Sequence, residues 1–200
     1  MSAVAASAAS AALPEFKPVP TKKKFTGTGG ESSWSFSGEK VTCKKSTMSG
    51  EITSATTLGG AVLKFTGCSW KTAEGAECPL KSKTGGKEEV VTAKLKGELG
   101  TTKESGRPVA LLLTPAEGKV WATLESTCGY GGIANLEGSL AGTIGVPHGK
   151  TGSLSFPSSP IKEVTTDSGT VVKPRLLYAA APMELGASLS LTFEEVLEVT

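Results

Sequence analysis

The side chains of this sequence that are best suited to chemistry are its four cysteines: Cys43, Cys68, Cys78 and Cys128. No two of them form a CxxC pair and the chain has a single histidine, so the spacing fits no zinc site. An even number of widely spaced cysteines is typical of disulfides in exported proteins. The sequence predicts two bridges, with Cys68–Cys78 and Cys43–Cys128 as the first choice. The alternative is Cys43–Cys68 with Cys78–Cys128.

Residues for acid–base or nucleophilic catalysis are scarce. His148 and Asp167 are each the only residue of their kind, and no G-x-S-x-G elbow accompanies them. Neighbouring glutamates occur at Glu88–Glu89 and Glu194–Glu195, so a secreted carbohydrate-active enzyme using paired glutamates is the alternative function. Adjacent strand residues point to opposite faces, which disfavours that chemistry. We expect no catalytic residue, no cofactor and no metal site.

Three tryptophans are candidates for a binding surface, because an indole face can stack on a sugar ring. They are Trp34, Trp70 and Trp121. Packing in the core or at its rim is the alternative role for such residues. A surface glycan is accordingly one expected partner, and the protein itself, as a homo-oligomer or filament, is the other.

The overall composition excludes several classes of protein. There are 24 Thr, 22 Ser and 25 Gly, against one Asp, one Asn and no Gln. The formal net charge is only +2, which argues against binding nucleic acid. No stretch approaches the ~18 consecutive apolar residues that would span a bilayer as a helix.

The elements that must position these residues are short strands. Apolar and polar residues alternate in several segments, most clearly where Leu189, Leu191 and Phe193 alternate with Ser188 and Ser190. Alternation with period two and abundant threonine is typical of half-buried antiparallel strands, and glycine-rich turns separate the segments. The sequence predicts an all-β fold, an antiparallel β-sandwich or jelly-roll stapled by disulfides.

The N-terminal region differs from the rest of the chain. Residues 1–12 are rich in alanine and end in small residues, so we expect a signal-peptide remnant that is cleaved before Leu13. We expect residues 13–30, which are rich in proline, lysine and glycine, to form an extended arm. We expect residues 31–200 to form a single β-domain. Leu13, Phe16 and Val19 are candidate contacts for self-assembly, because an extended arm can add to the sheet edge of another copy.

Several short motifs resemble those of a group of repetitive, secreted, β-rich proteins of high-GC actinobacteria. The motifs are LPEF at 13–16, FTGTGG at 25–30, VTCK at 41–44, GEI at 50–52, FTGC at 65–68 and GELG at 97–100. The resemblance implies export and a disulfide-bearing β-domain. It implies no activity, because none is known for the group, and it carries over no catalytic residue.

Together these observations predict a secreted or cell-surface protein that is not an enzyme. Its expected function is that of a structural or binding module, which self-assembles through its N-terminal arm or binds a glycan. Export is supported by the cysteine pattern and by the alanine-rich N-terminal residues.

Overall fold

The structure is a computed structural model that describes residues 13–19, 22–72, 75–104, 109–126 and 132–200. Within these residues every regular element is a β-strand, and no helix occurs. The predicted all-β class is therefore confirmed.

Nineteen strands follow one another in the described part of the chain. They are β1 (Phe16–Lys17), β2 (Lys23–Gly29), β3 (Ser32–Phe36), β4 (Glu39–Cys43), β5 (Lys45–Ile52), β6 (Thr57–Thr66), β7 (Ser69–Lys71), β8 (Glu77–Ser82), β9 (Glu89–Val91), β10 (Leu95–Thr101), β11 (Val109–Pro115), β12 (Val120–Ser126), β13 (Ile133–Gly138), β14 (Leu140–Gly145), β15 (Gly149–Phe156), β16 (Val164–Thr166), β17 (Val171–Val172), β18 (Leu176–Tyr178) and β19 (Ala181–Val199).

Eight of these strands pair side by side into a closed ring, which we call the first ring. Its order is β6, β10, β11, β14, β15, β19, β2, β5 and back to β6, and every neighbouring pair is antiparallel. Closing a sheet on itself removes the exposed edges that would otherwise pair with other chains. Three short strands attach to its side, β9 to β6, β16 to β10 and β17 to β16.

A second ring closes through the beginning of β19. Its order is β19, β3, β4, β7, β8, β12, β13, β18 and back to β19, again all antiparallel. Residues 181–186 of β19 pair in the second ring, and residues 187–193 pair in the first. The antiparallel pairing was predicted, whereas two rings that share one long strand were not part of the prediction.

Alternation along the strands places the larger core cluster inside the rings, and a smaller, separate cluster consists of Ala110, Leu112, Ala141, Ile161 and Val164. In β19, Leu189, Leu191 and Phe193 are buried while Ser188 and Ser190 are exposed, as the period-two pattern predicts. A void among the buried side chains of the first ring measures about 10 Å³, the space that one water molecule needs. Large buried side chains, among them Leu63, Leu111 and Leu154, occupy the interior of this ring.

The N-terminal segment closes one end of the first ring in the same chain. Phe16 is 1% exposed and lies in the core, and its backbone pairs with that of Val199. The amide of Phe16 donates to the carbonyl oxygen of Ala55 at 2.7 Å, and Glu15 and Thr200 exchange two backbone hydrogen bonds. The prediction of Phe16 as a contact between copies is therefore wrong, since its own chain buries it.

The predicted arm over residues 13–30 is also shorter than expected. Its second half forms β2, which lies between β19 and β5 in the first ring. Phe25 and Gly27 point inward while Thr26 and Thr28 point outward, and this alternation makes a strand despite the preceding lysines. Of the other two candidate contacts, Leu13 is half-buried and Val19 is 61% exposed. The predicted signal-peptide remnant lies outside the described residues.

One disulfide is defined within the described residues, and it joins Cys43 to Cys68 with their Cα atoms 4.0 Å apart. The first choice of pairing, with Cys68 bonded to Cys78, is therefore wrong, and the Cys43–Cys68 bridge of the alternative is confirmed. The reason is that β4 pairs with β7 and β5 pairs with β6, which brings Cys43 at the end of β4 to Cys68, the residue that precedes β7. Cys78 is also disulfide-bonded. Cys128 lies outside the described residues.

Candidate functional site

The three tryptophans do not form a surface platform. Trp34 and Trp121 are each 2% exposed and Trp70 is 9% exposed. Trp34 packs edge-on against Phe65 with ring centroids 5.0 Å apart, and Trp70 packs against Phe36 at 5.9 Å. The prediction of a tryptophan binding surface is therefore wrong, and the alternative role in the core describes these residues.

Trp121 enters the core because of a local irregularity. The sequence places it opposite the apolar face of Val120, Ala122 and Leu124. In the structure the pairing of β12 with β13 shifts register between Val120 and Ala122. Such a bulge redirects side chains, so that Trp121, Ala122 and Leu124 are all buried. The indole Nε1–H of Trp121 donates to the carbonyl oxygen of Gly138 at 2.8 Å.

The neighbouring glutamates contact lysines on the surface. Glu195 forms an ion pair with Lys23, and Glu194 accepts a hydrogen bond from the backbone amide of Lys24 at 3.1 Å. The hydrogen bond and the charge of Glu195 raise the pKa of Lys23. Both carboxylates therefore contact β2, the strand beside β19. A glycosidase site instead has two carboxyl groups that face each other across a cleft.

The single histidine and the single aspartate have separate surroundings. His148 is largely exposed, with its Nδ1 3.7 Å from Oε2 of Glu198. Asp167 accepts a hydrogen bond from the hydroxyl of Thr56 at 3.3 Å. The contacts of these two residues with the described part of the chain do not bring them together.

A shallow groove of about 470 Å³ lies on the outer face of the first ring. It crosses three neighbouring strands, β15, β19 and β2, and the segment that follows β2. We call it the hydroxyl groove, and its lining is Thr28, Gly29, Gly30, Ser153, Leu154, Ser155, Ser188, Leu189 and Ser190. Five of the nine lining residues carry hydroxyls, and none of the nine carries a charge.

The hydroxyls stand in rows because the strands are in register. Ser190 pairs with Ser153 on one side and with Thr28 on the other, and the row continues from Thr28 to Thr47 of β5. In the next row Ser155 pairs with Ser188, and their Oγ atoms are 3.1 Å apart. Neighbouring strands lie ~4.8 Å apart, so a molecule lying across them meets hydroxyls at a regular interval.

The sequence shapes this groove through small residues and alternation. Leu154 and Leu189 point into the core at 0% and 2% exposure, and so their serine neighbours point outward. Gly29 has no room for a side chain, because a Cβ there would collide with the carbonyl oxygen of Ser188 and with Oγ of Ser46. At Gly29, β2 therefore lies close to β19 and β5, and the absence of a side chain leaves the groove deeper at this point.

The arrangement can form many neutral hydrogen bonds. Each serine or threonine hydroxyl offers one donor and two acceptor lone pairs, and it rotates to suit a partner.

Within the described residues, no three His, Cys, Asp or Glu side chains lie close enough to hold a metal ion. In the same part of the chain no helix has the length and apolar character required to cross a bilayer.

No protein-family model, curated protein or solved structure matches this chain. The resemblance to secreted actinobacterial proteins therefore stays a prediction. Sequence reasoning identified Ser188 and Ser190 as the outer face of a strand but missed the groove. The signal in the sequence was the concentration of Ser, Thr and Gly in three segments that the fold makes neighbours.

Proposed function

We propose that this protein is a non-catalytic extracellular module that binds a neutral glycan in the hydroxyl groove. The observation that carries the proposal is the lining of the groove, in which serine and threonine hydroxyls stand in registered rows and no side chain is charged. A sugar is a neutral polyhydroxyl compound, and protein hydroxyls can both donate to it and accept from it.

The open shape of the groove suits a polymer better than a small molecule. It runs across β15, β19 and β2, and the row of Ser153, Ser190 and Thr28 continues to Thr47 beyond it. Each exposed hydrogen bond to a ligand contributes little after the loss of water, about 0.5–1.5 kcal/mol. Useful affinity therefore requires several sugar units, and an elongated glycan supplies them.

Binding without hydrolysis follows from the same lining. Glycoside hydrolysis by the common mechanisms requires two carboxyl groups that flank the scissile bond. The groove is lined by hydroxyls and backbone groups and has no carboxyl group beside the bound glycan. A glycan bound there is therefore held intact. This argument favours the binding module over the alternative of an enzyme that uses paired glutamates.

Two observations support an extracellular location for this activity. Cys43 and Cys68 form a disulfide, and such bonds persist mainly in oxidising compartments. The alanine-rich residues 1–12 resemble the end of a signal peptide. Glycans of cell walls and matrices are abundant at such a location, and a hydroxyl-lined module would attach the protein to them.

A panel of immobilised polysaccharides tests the proposal. It contains neutral polymers (glucans, mannan, xylan, galactan) and charged ones (a uronic-acid polymer and a sulfated polymer). The wild type is compared with Ser190→Asp, which places a charge in the middle of the groove, and with Ser49→Asp, which adds the same charge at an exposed strand position outside its lining.

We expect the wild type to bind at least one neutral polymer. Ser190→Asp should weaken this binding about tenfold or more, because an ionised carboxylate cannot donate the hydrogen bond of the serine hydroxyl and its larger side chain occupies space in the groove. Ser49→Asp should bind as the wild type does. Binding to charged polymers alone, or equal binding by Ser190→Asp and the wild type, would show that the groove is not a site for neutral glycans.

A further inference from the structure

A second cavity, of about 100 Å³, lies away from the hydroxyl groove. It is bounded by the start of β14, the segment after β15, the start of β18 and the first part of β19. We call it the proline slot, and its walls include Pro157, Pro160, Pro174 and Pro182 over a floor that includes Leu140 and Leu176. No residue lines both the slot and the hydroxyl groove.

The walls of the slot are held in place before any ligand arrives. Proline fixes its own backbone φ angle, so four prolines make a rigid rim. The segment that carries Pro174 is fastened by two hydrogen bonds between Ser139 and Arg175, one between backbone groups at 3.0 Å and one from the Arg175 amide to Oγ of Ser139 at 3.2 Å. The backbone of the walls therefore needs little ordering when a ligand binds, which favours affinity.

Two opposite charges flank the slot without forming an ion pair with each other in the structure. Arg175 and Glu184 both line it and are exposed, and neither has an oppositely charged side chain within 4.0 Å in the described part of the chain. The only side-chain hydrogen bond of Glu184 there is a long one, 3.5 Å, from the hydroxyl of Ser35.

Some other surface glutamates of this protein form ion pairs with lysines. Glu89, Glu125 and Glu137 each lie within 3.2 Å of a lysine ammonium group. Arg175 directly precedes Leu176, whose Cα partner is Met183, and Glu184 directly follows Met183. The unmatched charges therefore stand at neighbouring positions of two paired strands, at the mouth of an apolar slot.

We propose that the proline slot binds a free α-amino acid with a compact aliphatic side chain, such as leucine or valine. The side chain occupies the slot, the carboxylate accepts hydrogen bonds from the guanidinium of Arg175, and the ammonium group donates to the carboxylate of Glu184. The guanidinium fork matches a carboxylate in shape and charge. A branched aliphatic group is of the size that a small apolar cavity holds.

An aliphatic amino acid matches the three features of this site, which are the apolar slot, the positive charge of Arg175 and the negative charge of Glu184. A purely apolar molecule would fill the slot and leave both charges unused. A simple anion would pair with Arg175 but would be repelled by Glu184. A zwitterion with an apolar side chain has one group for each part of the site, and the inference does not depend on the glycan function proposed above.

Titration calorimetry of the full chain with four compounds tests the proposal. Leucine carries all three features, glycine lacks the side chain, N-acetylleucine lacks the ammonium charge and leucinamide lacks the carboxylate. We expect leucine to bind more tightly than each of the other three by about tenfold, since a charge-assisted hydrogen bond or a buried side chain contributes at least this factor.

Variants assign the binding to this site. Arg175→Gln and Glu184→Gln should each weaken leucine binding about tenfold, and Lys173→Gln, which removes an exposed charge two residues from Arg175, should leave it unchanged. All three positions are exposed, so the variants are expected to fold. The proposal is overturned if leucine does not bind at any soluble concentration, if N-acetylleucine binds as tightly as leucine, or if Arg175→Gln binds as the wild type does.

Discussion

The backbone of Phe16 pairs with that of Val199, so the two ends of the described chain meet in one sheet. The phenyl ring of Phe16 then lies against the interior of the first ring, in a cluster that includes Phe25 and Phe193. The N-terminal segment thus completes the core rather than extending away from it. Its contribution to stability is therefore measurable in the isolated chain.

Removing the Phe16 side chain should destabilise the protein strongly. Phe16→Ala leaves a cavity at the end of the filled first ring, and such changes cost about 3–5 kcal/mol of unfolding free energy. Val19→Ala is the matched control, because Val19 is 61% exposed and its truncation should change the unfolding free energy by less than about 0.5 kcal/mol. Urea unfolding measures both. A change below about 1 kcal/mol for Phe16→Ala would show that the segment does not pack in the core.

The disulfide can be mapped directly, because trypsin places each of the two cysteines in its own peptide. Under non-reducing conditions the peptide of residues 41–44 should appear linked to that of residues 65–71. Replacing Cys43 and Cys68 together by alanine should lower the unfolding free energy by about 3 kcal/mol, since the bridge closes a loop of moderate length. A peptide that links Cys68 to Cys78 would contradict the structure.

Tyr178 should titrate at a higher pH than an ordinary tyrosine. Burial raises the pKa of its phenol, and the negative charge of Glu39 raises it further. The folded chain then holds this proton more tightly than the unfolded chain. The stability associated with Tyr178 is therefore fully present below the ordinary pKa of about 10 and decreases as the pH rises from there to the pKa of the folded state.

Ultraviolet absorbance of tyrosinate measures this titration in a Tyr130→Phe background, which leaves Tyr178 as the remaining tyrosine. Glu39→Gln should lower the midpoint only in part, because burial is the larger cause. A Tyr178 midpoint at or below that of the unfolded chain would contradict the half-buried position of its ring, whose centroid lies 4.5 Å from that of Phe36.

Local features of the fold could be predicted from the sequence because they depend on neighbouring residues. The alternation of Leu189 and Leu191 with Ser188 and Ser190 identifies both the strand and its buried face. Trp121 shows where this reasoning fails. A bulge turns its side chain inward, and no pattern within the strand reveals the extra residue.

The candidate site could not be predicted because it depends on contacts between distant segments. Ser153, Ser190 and Thr28 become neighbours only when β15, β19 and β2 pair in one register. Period-two patterns say which face a residue occupies, but they do not say which strands lie side by side. The same limit explains the cysteine pairing, since Cys43 and Cys68 meet through strand order rather than through their spacing.

The most direct test of the proposed function is a titration of the isotope-labelled chain with a soluble neutral oligosaccharide, followed by amide chemical shifts in nuclear magnetic resonance. We predict that the shifts concentrate on Thr28, Ser153, Ser155, Ser188 and Ser190, and that they saturate at a single affinity. Two results would contradict a glycan site in the hydroxyl groove. In the first, none of the neutral oligosaccharides in the panel changes any amide shift. In the second, shifts change at residues elsewhere while that of Ser190 stays the same.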